Sequence, residues 1–249
     1  MSNAAAAQDQ GLPIEQQLES MAELVSTGPV DLGCYTQAEM AVVLGEAPAL
    51  AGLEDDVLAE GVRSLAARGL LYRAPDGEHV DIVGELGLVA ALIPLNTGTI
   101  EVRRGHEATA DSPWRWLISL LPGGVAAVDR IDALGLHRLS MVSLADIDDA
   151  LVEQFIDGPA RIPSDDPGPI AITVAELRHV AERAPARWQL AHRVRRTDGT
   201  VLEVEVQVLR SGPRRVDLIT RDPQGDGYQR VAVDADALRM FLDDLAGLT

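Results

Sequence analysis

The clearest pattern in the chain is VLEVEVQVL, residues 201–209, where Leu202, Val204, Val206 and Val208 alternate with Glu203, Glu205 and Gln207. A period of two puts the apolar set on one side of a strand and the polar set on the other, so one face is expected to be buried and one wet. The stretch follows Thr197-Asp198-Gly199, a hairpin turn signal. It precedes RSGPRRVDLIT, which reads as a turn and a further strand. Residues 201–209 are therefore expected to form a central strand of an antiparallel meander.

Upstream the period lengthens. In IEQQLESMAELV (14–25), Ile14, Leu18, Met21 and Leu24/Val25 share one helical face. TGPVDLG reads as a break. TQAEMAVVLG opens with Thr36 three residues before Glu39, a capping-box spacing that predicts a short helix. LEDDVLAEGVRSLAARGLL carries Val57, Leu58, Val62, Leu65 and Ala66 at helical spacing, with Asp55 and Asp56 at its start and Gly69 at its end. A hairpin with Asp76-Gly77 at its turn follows. Residues 1–12, rich in Ala, Gln and Ser without an apolar period, read as a disordered tail. Residues 13–81 then form an N-terminal unit whose helix, helix, hairpin order is like that of a winged helix. A recognition helix needs basic or amide side chains for phosphates and base edges. This one offers Glu54, Asp55, Asp56 and Glu60, so packing or protein contact is the expected use of the unit and nucleic acid is not expected as a partner.

Beyond residue 81 one pattern runs twice. VGELGLVAALIP and TVAELRHVAERAP match at a separation of 91, pairing Glu85 with Glu176, Leu86 with Leu177, Val89 with Val180, Ala90 with Ala181 and Pro94 with Pro185. A strand ending in an arginine pair follows each, TIEVRR and WQLAHRVRR. WRWLISLLPGG then corresponds to VLEVEVQVLRSGP, VAAVDRID to RRVDLITRD, and LHRLSMV to YQRVAV. SLADIDDALVEQFI and DADALRMFLDDLAGL close the two copies as helices opened by acidic cap regions. The expected fold class is α+β, with an antiparallel sheet and a quasi-two-fold repeat of an α-ββββ-α unit. The first copy spans 82–157 and the second 172–249. Residues 158–171, rich in Pro, Gly and Asp, form a linker, and the whole reads as one compact domain.

Composition narrows the functional classes. The 249 residues carry a net charge of −18, which disfavours nucleic acid and an anionic membrane surface as partners. All 21 basic residues are arginine, which reads as genome base composition. Aromatics make up 3%, so the core is expected to be aliphatic. The single cysteine, Cys34, excludes an internal disulfide framework and reads as a small buried apolar residue. No apolar run reaches the 18 or so residues of a membrane span and no signal-peptide pattern opens the chain, so a cytoplasmic location is expected. His79, His106, His137, His179 and His192 are scattered without metal-ligand spacing, and no nucleophile elbow or phosphate-binding loop occurs. The acidic pairs Asp148-Asp149 and Asp243-Asp244 recur across the repeat. Adjacent helical carboxylates point about 100° apart, so these read as a solvated face. No catalytic residue, cofactor or metal is expected. Trp114 and Trp116 share a strand face, either in the core or as an aromatic contact patch.

Three stretches carry a family resemblance. LAEGVRSLAARGLLYRAPDGEHVDIVGELGLVAALIP, PGPIAITVAELRHVAERAP and VDLITRDPQGDGYQRVAVDADALRMFLDDLAGL together resemble the EspG family, the cytoplasmic chaperones of actinobacterial ESX (type VII) secretion. Asp222, Gly227 and Tyr228 stand near the positions of that family's D-x-x-x-G-R-Y phrase, with Arg230 following Tyr228 where the family has an arginine before the tyrosine. The resemblance, over roughly 53–248, implies a central antiparallel sheet with helical bundles. It also implies a protein client, a secreted substrate such as a PE–PPE heterodimer, kept soluble before export. The contact surface it implies comprises strand 201–209 and helix 236–245. The candidate partner-contacting residues are Glu203, Glu205, Gln207, Trp114, Trp116, Tyr228 and Arg230. The alternative is a winged-helix transcriptional regulator with a C-terminal sensor domain.

Overall fold

The computed structural model describes residues 13–44, 55–73, 80–105, 115–156, 168–195, 198–212, 215–222 and 225–247. The expected tail, most of the linker, the Asp76-Gly77 turn, His79, His106 and Trp114 lie outside these residues. In chain order the elements are α1 (Ile14–Val25), β1 (Val30–Thr36), α2 (Gln37–Leu44), α3 (Asp55–Ala67), β2 (Leu71–Arg73), β3 (Val80–Ile82), α4 (Gly84–Leu92), β4 (Gly98–Gly105), β5 (Arg115–Leu121), β6 (Val125–Ile131), β7 (Leu136–Ser143) and α5 (Leu144–Phe155). There follow β8 (Ile170–Ile172), α6 (Val174–Arg183), β9 (Ala186–Arg195), β10 (Val201–Gly212), β11 (Arg215–Arg221), β12 (Tyr228–Val233) and α7 (Ala235–Gly247). The class is α+β, and helix, four strands, helix occurs twice, each time behind a three-residue strand.

Ten strands form one antiparallel sheet in the order β1-β7-β6-β5-β4-β9-β10-β11-β12-β8, and β2 with β3 forms a separate ribbon. The two meanders run outward from the central pair β4–β9. In that pair Ile100 faces His192, Glu101 faces Ala191 and Val102 faces Leu190, so a quasi-two-fold axis passes beside Glu101. The second strands obey it too. Val102 has Trp116 as its outer neighbour, and His192 has Val204. The expected β10 strand sits between β9 and β11. Its entry turn is set by Asp198, whose carboxylate accepts from Thr200 N at 2.9 Å and Thr200 Oγ1 at 2.6 Å.

Helices α5 and α7 cover one face of the sheet. Ile147, Leu151, Val152 and Phe155 of α5 and Leu238, Leu242 and Leu245 of α7 recur every three to four residues, the spacing that makes one apolar stripe. They meet Val102, Trp116, Ile118, Leu190, Val206 and Val208 from alternate strand positions. Phe155 packs edge-on to Trp188, with ring centroids 5.3 Å apart at 64°. Arg210 closes the C-terminus of α5, donating to the carbonyls of Phe155 and Gln154.

Among the described residues, the opposite face is covered only at its ends. At one end Met21, Met40, Leu65, Leu86, Val89 and Leu92 close over Leu121, Val125, Leu139 and Met141. There the expected capping box is present, with Thr36 N donating to Glu39 Oε2 at 2.7 Å and Glu39 N to Thr36 Oγ1 at 3.2 Å. Glu39 also accepts from Ser64 and Arg68, tying α2 to α3. Gly61 makes that crossing possible, because a Cβ there would lie 2.4 Å from the Ala38 carbonyl oxygen. At the other end α6 sets Leu177 and Ala181 over Leu209 and Ile219.

Three expectations are corrected. The second half of TGPVDLG, expected as a break, belongs to strand β1 (VDLGCYT), paired with β7 at one edge of the sheet. Its register shifts between Asp31 and Gly33, where Asp31 Oδ1 accepts from Gly33 N at 2.9 Å, so its burial does not alternate and the period-two signal is lost. Cys34, expected to be buried, is exposed on this strand. Asp148, expected on a solvated face, is 6% exposed and turned toward α7, while Asp149 pairs with Arg239 at 2.7 Å.

Candidate partner-binding face

Among the described residues, the middle of the sheet between the N-terminal helices and α6 carries no helix. Its open surface is built from the outward set of β4 (Glu101, Arg103), β5 (Arg115), β9 (Gln189, Arg193) and β10 (Glu203, Glu205). Alternation produces it. The intervening residues Val102, Trp116, Leu190 and Val206 fill the core under α5 and α7, so the charged set has nowhere to go but the other side.

Glu101 lies at the centre of this face. Its carboxylate is 2% exposed and takes Arg103 Nε and Arg115 Nε against Oε1, with Arg193 Nη1 at 3.3 Å from Oε2. Arg193 reaches on to Glu203 Oε1 with its Nε at 2.8 Å and Nη2 at 2.7 Å. Burial pushes the Glu101 carboxyl up, but the arginines outweigh it and hold the group below its ordinary value. Arg103 and Arg193 keep 51% and 44% of their side-chain surface, so the network is anchored underneath and wet on top. A carboxylate saturated by guanidinium groups is a poor proton acceptor, and the surface is a flat, preorganised charged platform. Such a surface suits recognition of another protein's polar rim.

Of the expected contact residues, Glu203, Glu205 and Gln207 stand together on this side of β10, the first two exposed and Gln207 half-buried. The wet face ends there, because Leu209 is buried under α6. Trp116 lies on the opposite side and is 5% exposed, which puts it in the core and not on a contact patch. Tyr228 packs against the α6 cluster. Arg230 donates to the fully buried Asp217 at 2.7 Å, so it neutralises an internal charge. Glu101, Arg115 and Arg193 were not singled out from sequence, and Arg103 only as one of the arginine pair that ends its strand. The usable signal was TIEVRR, where Glu101 and Arg103 two apart must share a strand face.

Among the described residues, no group of three or more His, Cys, Asp or Glu is placed to hold a metal ion. None of the described helices is long and apolar enough to cross a membrane. No protein-family model and no curated protein sequence matches the chain. Among solved structures, the chain is similar to the Mycobacterium tuberculosis type VII secretion system chaperone EspG5, determined in complex with the PE25–PPE41 dimer. The likeness has a TM-score of 0.54 at 9% identity and covers 86% of this chain and 95% of that one. At that identity it is a likeness of fold, and the chain shares the fold of that chaperone.

Proposed function

We propose that the chain is a non-enzymatic binding protein, an EspG-like chaperone that holds a type VII secretion client such as a PE–PPE heterodimer in the cytoplasm before export. The observation that carries the reading is the extent of the fold likeness, nearly the whole length of both chains, to a chaperone seen with such a dimer. The open middle of the sheet supports it, because a platform flanked by covered ends offers a partner an accessible surface with a preset charge pattern. In this reading the client lies against Glu203, Glu205 and Gln207 on the open face; helix 236–245, which the resemblance adds to the contact surface, packs on the other face of the sheet and is not part of this platform.

The regulator alternative has the winged-helix order α1-β1-α2-α3-β2-β3 in its favour. Against it, β1 belongs to the large sheet and not to the β2–β3 ribbon, and α3 begins with exposed Asp55 and Asp56. Co-expression with PE–PPE pairs from the same genome tests the proposal. A 1:1:1 complex by size exclusion with light scattering is expected, and failure to recover a complex with any of the pairs overturns it.

A further inference from the structure

On the N-terminal half of the same sheet face, between β4–β7 and α4, lies a cavity of about 270 Å³. Its walls are apolar, from Leu32, Leu44, Val89, Ile93, Leu117 and Leu139. Two charged-type side chains break that lining. Asp129 on β6 is 8% exposed and His137 on β7 is 5% exposed, and His137 Nδ1 lies 2.7 Å from Asp129 Oδ2. The other carboxylate oxygen, Oδ1, is buried with no hydrogen-bond partner among the described residues. Asp129 follows Val125 and Ala127 on the same face of β6, where an aliphatic residue would continue the apolar lining. Ser119 and Ser140 also line the cavity, yet no serine among the described residues hydrogen-bonds to the imidazole, so the arrangement is not set up as a nucleophile and base.

A buried acceptor without a donor is uncommon in folded proteins and marks a place where a donor is expected to arrive. The His137 bond fixes Oδ2, which leaves Oδ1 as the one strong acceptor in an apolar chamber. Size limits the visitor. An apolar cavity of about 150 Å³ accepts a benzene ring, so this one has room for a substituted ring or a short branched chain. Chemistry limits it further: Asn96, Thr99, Ser119 and Ser140 contribute amide and hydroxyl groups to the lining, and Asp129 Oδ1 adds a carboxylate acceptor that has no donor among the described residues. We propose that this cavity binds a small molecule with a compact apolar body and a single hydroxyl donor, of the phenol or simple alcohol type, received by Asp129 Oδ1. The proposal stands independently of the client-binding reading.

The test uses 4-methylphenol and 4-methylanisole, whose O-methyl group removes the donor and adds one carbon to the ring substituent, titrated into the full chain and followed by NMR and calorimetry. Saturable binding of 4-methylphenol is expected, with shift changes at Asp129, His137 and Leu117, and at least ~10-fold weaker binding of 4-methylanisole, the loss of one well-placed hydrogen bond to a charged group. Asp129→Asn keeps an acceptor for His137 and presents an amide donor in place of Oδ1, so it should remove or reverse the preference for 4-methylphenol. Ser119→Val narrows the chamber from β5 and should weaken binding of both compounds without lowering the melting temperature. Equal affinity for the two compounds, no binding of either, shift changes confined to other parts of the sheet, or undiminished binding by Ser119→Val would each overturn the proposal. The comparison of the two ligands on the wild-type chain decides the matter even if Asp129→Asn fails to fold.

Discussion

Replacing Glu101 by Gln removes the charge at the centre of the open sheet face while keeping its shape. The residue is 2% exposed and faces three arginines, so in the variant Arg103 and Arg115 lose this counter-ion, Arg193 keeps Glu203, and only one amide oxygen remains to accept. A hydrogen bond to a charged group is worth about 1.5–3 kcal/mol. Breaking a fully buried pair costs about 3–5 kcal/mol. Here Arg103 and Arg193 are roughly half exposed and rehydrate, so the loss is discounted to about 2 kcal/mol. For a chain of this size that is a fall in Tm of about 4–8 °C at pH 7.5. The pH dependence has a defined sign. The folded Glu101 carboxyl lies below its ordinary value of 4.5, so its contribution is complete above that value and is lost as pH falls through the folded value. Urea denaturation at pH 7.5 and at progressively lower pH should therefore show a gap between wild type and Glu101→Gln that closes in acid. A variant as stable as wild type at pH 7.5, or a gap that ignores pH, would refute the role assigned to this residue.

Three further outcomes are expected. Asp148 is pushed up to about 7, first by burial and then by Asp243 and Asp149, with Arg239 opposing. The folded protein therefore holds a proton that the unfolded chain releases, and stability falls as pH rises from about 4 to 7. Asp148→Asn should be more stable than wild type at pH 8, by on the order of 1–2 kcal/mol, and should lose that advantage near pH 4 in the same denaturation assay. Phe155→Ala removes a fully buried ring packed against Trp188 and should cost about 3–5 kcal/mol, read as a shift in urea midpoint with the slope unchanged. Cys34 is exposed, so the native protein should react with a thiol reagent at a rate close to that of the urea-unfolded chain, and strong protection would contradict its placement on β1.

How much of this was legible in the sequence varies with the kind of signal each element carries. VLEVEVQVL declared itself because its alternation is unbroken, and Asp198-Gly199 marked the turn before it. That Leu209 leaves the wet face could not be read there, since it depends on α6 docking from elsewhere in the chain. β1 was hidden because a bulge at Asp31–Gly33 breaks the period on which strand recognition rests. Cys34 followed from that error, as burial inferred from residue type ignores which side of an edge strand faces solvent. The pairs Asp148-Asp149 and Asp243-Asp244 were visible as a recurrence. Their adjacency says only that the two carboxylates of a pair diverge, and packing of α5 on α7 decides that Asp148 turns inward. Trp116 had two open readings from its strand alone, and the helices over the even positions of β5 settle it as core. Glu101 was the least legible, because a lone acid in a strand gains its meaning from arginines on β5 and β9, brought together by pairing across 92 residues of sequence.

The most direct test of the account is a calorimetric titration of a purified PE–PPE dimer into the wild-type chain and into Glu205→Arg, an exposed substitution on the open face of β10. One dimer is expected to bind per wild-type chain, with at least a ~10-fold loss of affinity in the variant and its Tm unchanged, because a reversed charge on a recognition surface opposes the partner's pattern. No binding by the wild type, or identical affinity for the two proteins, would contradict it.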